Sequence, residues 1–309
     1  MPASVAVIDI GSNSIKLLVA TRNARGGVIA LKYRTIDARI GAGISHTAPR
    51  LSDEGMTRGL EAIRSLLADA EEFSLAHVIL VATSAVRDAQ NGAEFRARVR
   101  QATGHDIRIL SGDEEANLIG RGLTCDPALA HLRNFYVFDL GGGSLECLTF
   151  RDRKIQQAIS VPLGCVRLTE KFPPAANGVL HDEARDAAMQ HTRDVLAQSG
   201  FAFSLPKGAT AVGTGGTFTS VRTILAARIG KSLEQTSASL AVKELRELLA
   251  WLGAMPLADR KQVAGLPPAR ADVFPTALAT VIALAGQGGF TAYENSLYNL
   301  RYGVAAEAL

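Results

Sequence analysis

The sequence predicts an α/β protein of two duplicated domains around a phosphate-binding cleft, and three observations predict it. The stretch VIDIGSNSIKL, Val7–Leu17, aligns without gaps on VFDLGGGSLEC, Val137–Cys147, with Val, Asp, Gly and Ser matching. A further β-rich run follows each copy, Val28–Asp37 after the first and Ile155–Val161 after the second, so the likeness extends to a whole three-stranded meander. Polar or glycine-rich segments stand directly behind other apolar runs, and in open α/β sheets ligands bind beyond the carboxyl ends of the strands.

In chain order, Ser4–Ile10 and Ile15–Thr21 are the first two strands, joined by GSNS. Ser52 stands where it caps a helix whose Met56, Leu60, Ile63 and Leu67 keep a helical period. Val78–Ala82 is a continuous apolar run of the kind buried in a parallel sheet, and it leads into TSAVRD at Thr83–Asp88. A helix from Gly92 to Thr103 ends at Gly104, strand Ile107–Leu110 follows, and SGDEEA at Ser111–Ala116 opens another helix. In the second half, helical patterns cover Val166–Phe172 and Glu183–Gln198, and strand Ala209–Val212 runs into GTGGT at Gly213–Thr217 before a helix from Phe218. Helices at about Val242–Met255 and Thr276–Ala285 flank a connection rich in proline and charge, Pro256–Pro275.

At 309 residues the chain exceeds the roughly 250–300 at which single cores stop growing. The pattern weakens between Cys125 and Asn134, which places one domain at 1–125 and the second at 126–309, with a last helix near 300–309 packing back on the first. Hydrophobic residues at 47% and charged ones at 20% are ordinary for globular chains and give no sign of disorder. A net charge of +3 is too small to argue for nucleic acid and does not repel a polyanion. The three cysteines form no CxxC pair and read as buried, reduced thiols, and the six histidines lack metal-ligand spacing. Asp9 inside the first apolar run argues against a signal peptide, and no run approaches the ~18 residues of a membrane span, so a cytoplasmic protein without a membrane partner is expected.

The chemistry sits in the loops. Gly141, Gly142 and Gly143, with Ser144 behind them, let the backbone turn tightly and bring N–H groups close to an anion. Asp139 before them and Glu146 after them are a carboxylate pair for a divalent cation. In the first copy Ser12, Asn13 and Ser14 supply hydroxyl and amide donors, and Lys16 is either a point charge for phosphate or a solvated strand residue. Gly215, Gly216 and Thr217 form a third glycine loop. One such loop is weak evidence, because turns need glycine whether or not anything binds, but two related copies indicate two domains gripping one phosphate. Arg87 directly follows a strand end, where a guanidinium binds phosphate bidentately or pairs with Asp88. Glu114 and Glu115 lie in a first helical turn, where capping is the ordinary role, although transfer of a phosphoryl group to water also needs a carboxylate to direct the nucleophile.

Together DIGSNS at Asp9–Ser14, ATSAVRDAQN at Ala82–Asn91, ILSGDEEA at Ile109–Ala116, DLGGGSLE at Asp139–Glu146 and VGTGGT at Val212–Thr217 resemble, in order, the motifs of the exopolyphosphatase and guanosine pentaphosphate phosphohydrolase family. PLGCVRLTE at Pro162–Glu170, ARADVFPTALA at Ala269–Ala279 and LRYG at Leu300–Gly303 extend the likeness over most of the chain. The resemblance implies the actin-like, ribonuclease H-like fold shared by sugar kinases and heat-shock chaperones. It implies Glu115 as the general base, Arg87 as a ligand of the substrate phosphate, and Gly141–Ser144 as donors to the terminal phosphate. Asp139 and Glu146, with Asp9, would then organise Mg²⁺ or another divalent cation. The implied reaction is release of terminal orthophosphate from inorganic polyphosphate by in-line attack of water, with guanosine pentaphosphate as the alternative substrate. A kinase and a non-catalytic nucleotide- or polyphosphate-binding module are rival readings from other classes. A homodimer is a family-level expectation, and so is weaker processivity in a short member without the helical extension of longer ones. Two positions depart from the family pattern: Leu145 where a Thr is usual, and Tyr302 where an acidic residue is frequent.

Overall fold

The computed structural model describes residues 3–309, which divide into two compact units. The first runs to Ala130 and takes in Tyr298–Leu309; the second is His131–Leu297.

The first unit opens with β1 (Ser4–Ile10), β2 (Ile15–Arg22) and β3 (Val28–Ile36), followed by α1 (Asp53–Ala70) and β4 (Leu75–Ala82). A single turn, α2 (Ser84–Arg87), then α3 (Gly92–Thr103), β5 (Ile107–Ile109) and α4 (Gly112–Thr124) complete its main run. Its sheet has the order β3-β2-β1-β4-β5, antiparallel across β1–β2–β3 and parallel across β1–β4–β5. Every residue of β1 is buried, Ser4 and Asp9 included, and its apolar run Val5–Ile8 suits a strand with neighbours on both edges. Ser52 caps α1 by accepting from the Gly55 N–H at 3.0 Å.

The second unit contains β6 (Phe135–Leu140), β7 (Leu145–Arg151), β8 (Lys154–Val161), α5 (Cys165–Lys171), α6 (Asp182–Gln198), β9 (Thr210–Thr214) and α7 (Gly215–Arg228). It continues through β10 (Ser239–Ala241), α8 (Val242–Gly253), the short α9 (Leu257–Arg260), α10 (Phe274–Gly288) and β11 (Ala292–Asn295). The sheet order is β10-β11-β9-β6-β7-β8. Read from β8 to β11 it repeats the first sheet strand for strand, with the same parallel and antiparallel pairings, and β10 is an added antiparallel edge. This is the duplicated actin-like arrangement. Its core is aromatic: Phe135 stacks on Phe150 with centroids 4.5 Å apart, and Phe138 lies buried among Phe201, Phe290 and Tyr293.

The last helix, α11 (Leu300–Ala308), packs on α4 and on β1 and β2 of the first unit. Tyr302 is buried there, its ring 4.0 Å from that of Tyr298 and its hydroxyl hydrogen-bonded to that of Tyr33. Leu145 is fully buried and faces Leu140 across the hairpin, so it serves the core. Cys147 and Cys165 are buried free thiols, whereas Cys125, expected to be buried, is half-buried at the end of α4. Among the described residues no helix is long and apolar enough to cross a membrane.

Candidate phosphate site

The two motif hairpins have the same backbone. In the first, the Gly11 N–H donates to Ser14 O at 3.2 Å; in the second, the Gly141 N–H donates to Ser144 O at 3.0 Å. In both, the chain returning from the third strand ties down the turn's carbonyls. The Gly41 and Arg39 N–H groups donate to Ser12 O and Asn13 O at 2.8 and 2.9 Å. In the second unit the N–H groups of Cys165 and Val166, at the start of α5, donate to Gly141 O and Gly142 O at 3.0 and 2.8 Å, and Arg167 Nε donates to Gly143 O at 3.0 Å. Gly164 makes that closure possible, because a Cβ there would collide with the backbone of Gly142 and Gly143.

With the carbonyls committed, the amides of Ser12, Asn13 and Ser14, and those of Gly142, Gly143 and Ser144, have no acceptor among the described residues. Consecutive amides left open in a turn form an anion-binding nest. Asn13 adds to this: it is 4% exposed, and neither its Oδ1 nor its Nδ2 has a partner. A buried amide left unpaired costs about 1–3 kcal/mol, so its retention beside an open nest points to a ligand.

Within the first unit the strand-end loops converge. The Thr83 N–H donates to Ile10 O at 3.3 Å, and the hydroxyls of Ser12 and Ser84 lie 3.1 Å apart. Arg87 NH1 donates to Glu115 Oε2 at 2.8 Å and to Leu110 O at 3.2 Å, and its Nε reaches Asp88 Oδ1 at 3.3 Å. Of the sequence alternatives for Arg87, the pair with Asp88 is present, and the guanidinium also meets the Glu115 carboxylate. Glu114 and Glu115 divide the work. Glu114 closes a capping box with Ser111, and hydrogen bonds from the Ser111 N–H and from Arg108 hold its carboxyl below the usual range. Glu115 takes no part in the cap and is buried against Arg87.

Register sets the side chains beside each hairpin. In the second unit Thr214, Asp139, Glu146 and Ser160 are successive partners across β9-β6-β7-β8, and so share one face. Ser160 Oγ donates to Glu146 Oε1 at 2.7 Å, Glu146 is 2% exposed, and Asp139 Oδ1 lies against the backbone of Gly215. In the first unit the corresponding row is Val81, Asp9, Lys16 and Thr35. Among the described residues no group of three or more His, Cys, Asp or Glu side chains is placed to hold a metal. The Asp139–Glu146 pair still suits Mg²⁺, which takes one or two protein carboxylates and fills its shell with water and substrate phosphate. Two carboxylates opposed on one face repel each other, and a cation relieves that repulsion.

The third loop opens α7. Thr214 makes no side-chain cap to that helix, and Gly215 has φ +86°. Thr217 is fully buried, its hydroxyl donating to Leu140 O at 3.4 Å and accepting from Arg270 NH2 at 3.4 Å. Ser84, Ser160 and Arg270 were not among the residues singled out from sequence. Ser84 and Arg270 lie inside quoted motifs, while Ser160 stands just ahead of one and is found only through strand register.

The model of the Ppx/GppA phosphatase family matches residues 18–309. Among solved structures, an exopolyphosphatase from Cytophaga hutchinsonii is 25% identical with a TM-score of 0.87, over 97% of this chain and 96% of that one. An exopolyphosphatase-like protein is likewise 25% identical with a TM-score of 0.87, over 99% of this chain and 98% of that one. The Aquifex aeolicus PPX-GPPA enzyme, at 24% identity and TM-score 0.78 over 99% and 100% of the two chains, shares the fold.

Proposed function

Because the chain belongs to the Ppx/GppA phosphatase family, we propose that it hydrolyses a terminal phosphoanhydride bond, with inorganic polyphosphate as substrate and orthophosphate as product. The observation that carries this reading is the repeated hairpin whose carbonyls are tied and whose amides are open. Such a turn offers donors to phosphoryl oxygens before the substrate arrives, and preorganised donors of this kind stabilise charge developing in a transition state.

In this reading Glu115 takes the proton of the attacking water. Arg87 holds that carboxylate in place in the ligand-free protein, and its other donors are suited to phosphoryl oxygens. An arriving phosphate competes for the guanidinium and leaves Glu115 to the water. The amides of Gly142, Gly143 and Ser144 are donors for the terminal phosphate, and in the first unit the open nest with the unpaired Asn13 is likewise suited to phosphoryl oxygens. Asp139 and Glu146 would hold Mg²⁺, which when bound neutralises charge on the phosphoryl oxygens.

Guanosine pentaphosphate is the second reading, and one observation favours it. Asn295 Oδ1 is buried beside the third loop with no donor, while its Nδ2 donates to Gly213 O at 3.1 Å; a nucleoside carries N–H and O–H donors and polyphosphate does not. The test is orthophosphate release from long-chain polyphosphate, guanosine pentaphosphate and ATP with Mg²⁺, by wild type and Glu115→Gln. Release from polyphosphate that falls about 10²–10⁴-fold in the variant is expected. A folded variant at wild-type rate removes Glu115 from its role, and transfer to a small acceptor in place of water favours a kinase.

A further inference from the structure

The loop that closes the first nest is fastened at both of its ends. Segment 37–52 joins β3 to α1 and reaches the first hairpin, where its Arg39 and Gly41 N–H groups occupy Asn13 O and Ser12 O. Two features show that the loop is held to this course. Arg39 is a non-glycine residue with φ 48°, a conformation that costs energy and persists only where the surroundings impose it. Gly41 runs so close to the turn that a Cβ would stand 2.5 Å from the Ser12 Cβ. The entry of the loop is held by α1, whose Arg58 donates through Nε to Ala38 O at 3.0 Å and through NH2 to Arg39 O at 3.4 Å.

The exit is held by the segment that follows Arg87. The Gln90 N–H donates to Pro49 O at 2.9 Å, and the Asn91 side chain grips both backbone groups of Leu51. Its Oδ1 accepts from the Leu51 N–H at 2.8 Å and its Nδ2 donates to Leu51 O at 2.9 Å. Only one orientation of the amide satisfies both groups. Asn91 is buried at the N-cap position of α3, where asparagine is among the residues that cap best, yet its side chain makes no cap bond there. The amide serves a piece of chain 40 residues back instead. One loop therefore joins two parts of the site, the nest of Ser12, Asn13 and Ser14 and the turn that carries Arg87.

We propose that Asn91 is a positioning residue: through the loop it sets Arg87 and the first nest in fixed register, so that both meet one phosphorylated ligand at once. The proposal rests on the phosphatase reading for its kinetic part, whereas the effect on phosphate binding does not depend on turnover.

The test uses the full chain and compares Asn91→Ala and Asn91→Asp with Ser52→Ala, which removes the α1 cap beside Leu51 and so lowers stability without touching the clamp. The probe is inorganic phosphate, by calorimetry, together with Tm, hydrogen exchange and the kinetics of orthophosphate release from polyphosphate. Asn91→Ala is expected to speed exchange of the Arg39 and Gly41 amides, to weaken phosphate binding about tenfold, and to lower kcat/KM for polyphosphate about tenfold to a hundredfold, mostly through KM. Asn91→Asp keeps the acceptor for the Leu51 N–H, lacks the donor to Leu51 O, and falls between. Ser52→Ala is expected to lower Tm by a similar amount and to leave exchange at Arg39 and Gly41, phosphate affinity and kcat/KM as in wild type. Phosphate affinity lowered equally by Ser52→Ala, or unaltered in folded Asn91→Ala, overturns the proposal. A Tm collapse in both Asn91 variants does so too, because it makes the residue a purely structural one. If Asn91→Ala weakens phosphate binding in a protein that releases no orthophosphate from any substrate, the clamp stands and the phosphatase reading falls.

Discussion

The two hairpins are the same backbone carrying different charges. Each has an Asp at the end of its first strand, a turn whose carbonyls are tied and whose amides are open, and a charged residue opposite that Asp. The opposing residue is Lys16 in the first unit and Glu146 in the second. The turn supplies the anion nest in both copies because the nest depends on backbone alone. The cross-strand partner then separates the copies: Asp faces Lys in the first, whereas in the second Asp faces Glu, an arrangement that suits a cation. Duplication followed by one change of sign opposite the aspartate thus gives one hairpin suited to phosphate alone and one suited to phosphate with a metal.

The largest effect expected breaks this asymmetry. Glu146→Gln removes the paired charge without changing shape, and is expected to abolish Mn²⁺ binding by electron paramagnetic resonance and to lower turnover about 10³-fold. Lys16→Met, at the matching place, is expected to leave Mn²⁺ binding intact and raise KM a few-fold, about the worth of one partly exposed charge. Equal loss of metal binding in both variants would mean that the two hairpins share the metal and that the sign of the partner does not matter.

A smaller effect concerns how Glu146 is aimed. Ser160 holds Oε1 through its 2.7 Å hydrogen bond and so orients the carboxylate. Groups that orient a metal-binding carboxylate are worth roughly 10–100-fold in metal affinity. Ser160→Ala is expected to weaken Mn²⁺ binding by that factor and Ser160→Thr to restore it, because Thr keeps the hydroxyl on a strand position. Thr35, at the corresponding place in the first unit, is expected to tolerate Ala with no change in metal affinity. If Ser160→Ala binds Mn²⁺ as tightly as wild type, the row across the second sheet has no part in the difference between the hairpins.

What the sequence made legible was periodic or repeated. The meanders, the order of the glycine loops and the packing of the last helix could be read because glycine at a strand end and an apolar run have few structural meanings. Side-chain choices inside one turn could not. Glu114 and Glu115 are adjacent carboxylates in the same first turn of α4, and only the helix phase, which sends one back to Ser111 and the other to Arg87, tells them apart. Ser160 depends on register across β7 and β8, which no local pattern records. Arg270 was visible inside its motif, but its contact with Thr217 is a property of the fold. The edge strand β10 and its neighbour β11, of three and four residues, are too short to carry an alternation.

The smallest effect at neutral pH separates the units by what covers their strands. In the first unit α11 lies on β1 and β2, and its Tyr302 hydroxyl meets that of Tyr33 from β3. Burial raises the Tyr302 hydroxyl to about 12, from 10.0. A group whose pKa is higher in the folded protein contributes stability that is complete below the unfolded value and is lost as pH climbs toward the folded one. Stability should therefore hold up to about pH 10 and then fall by about 1.4 kcal/mol per pH unit on account of Tyr302, until about pH 12. Tyr302→Phe is expected to cost about 1 kcal/mol at pH 7, the worth of one hydrogen bond, and to flatten the alkaline fall in urea midpoints. Buried Tyr293 of the second unit, whose hydroxyl donates to Val281 O at 2.8 Å and is raised well above its ordinary value by burial, keeps its own share of the alkaline slope in that variant. An alkaline slope unchanged by Tyr302→Phe would assign the whole fall to the second unit and leave the cover of α11 without a titrating part in it.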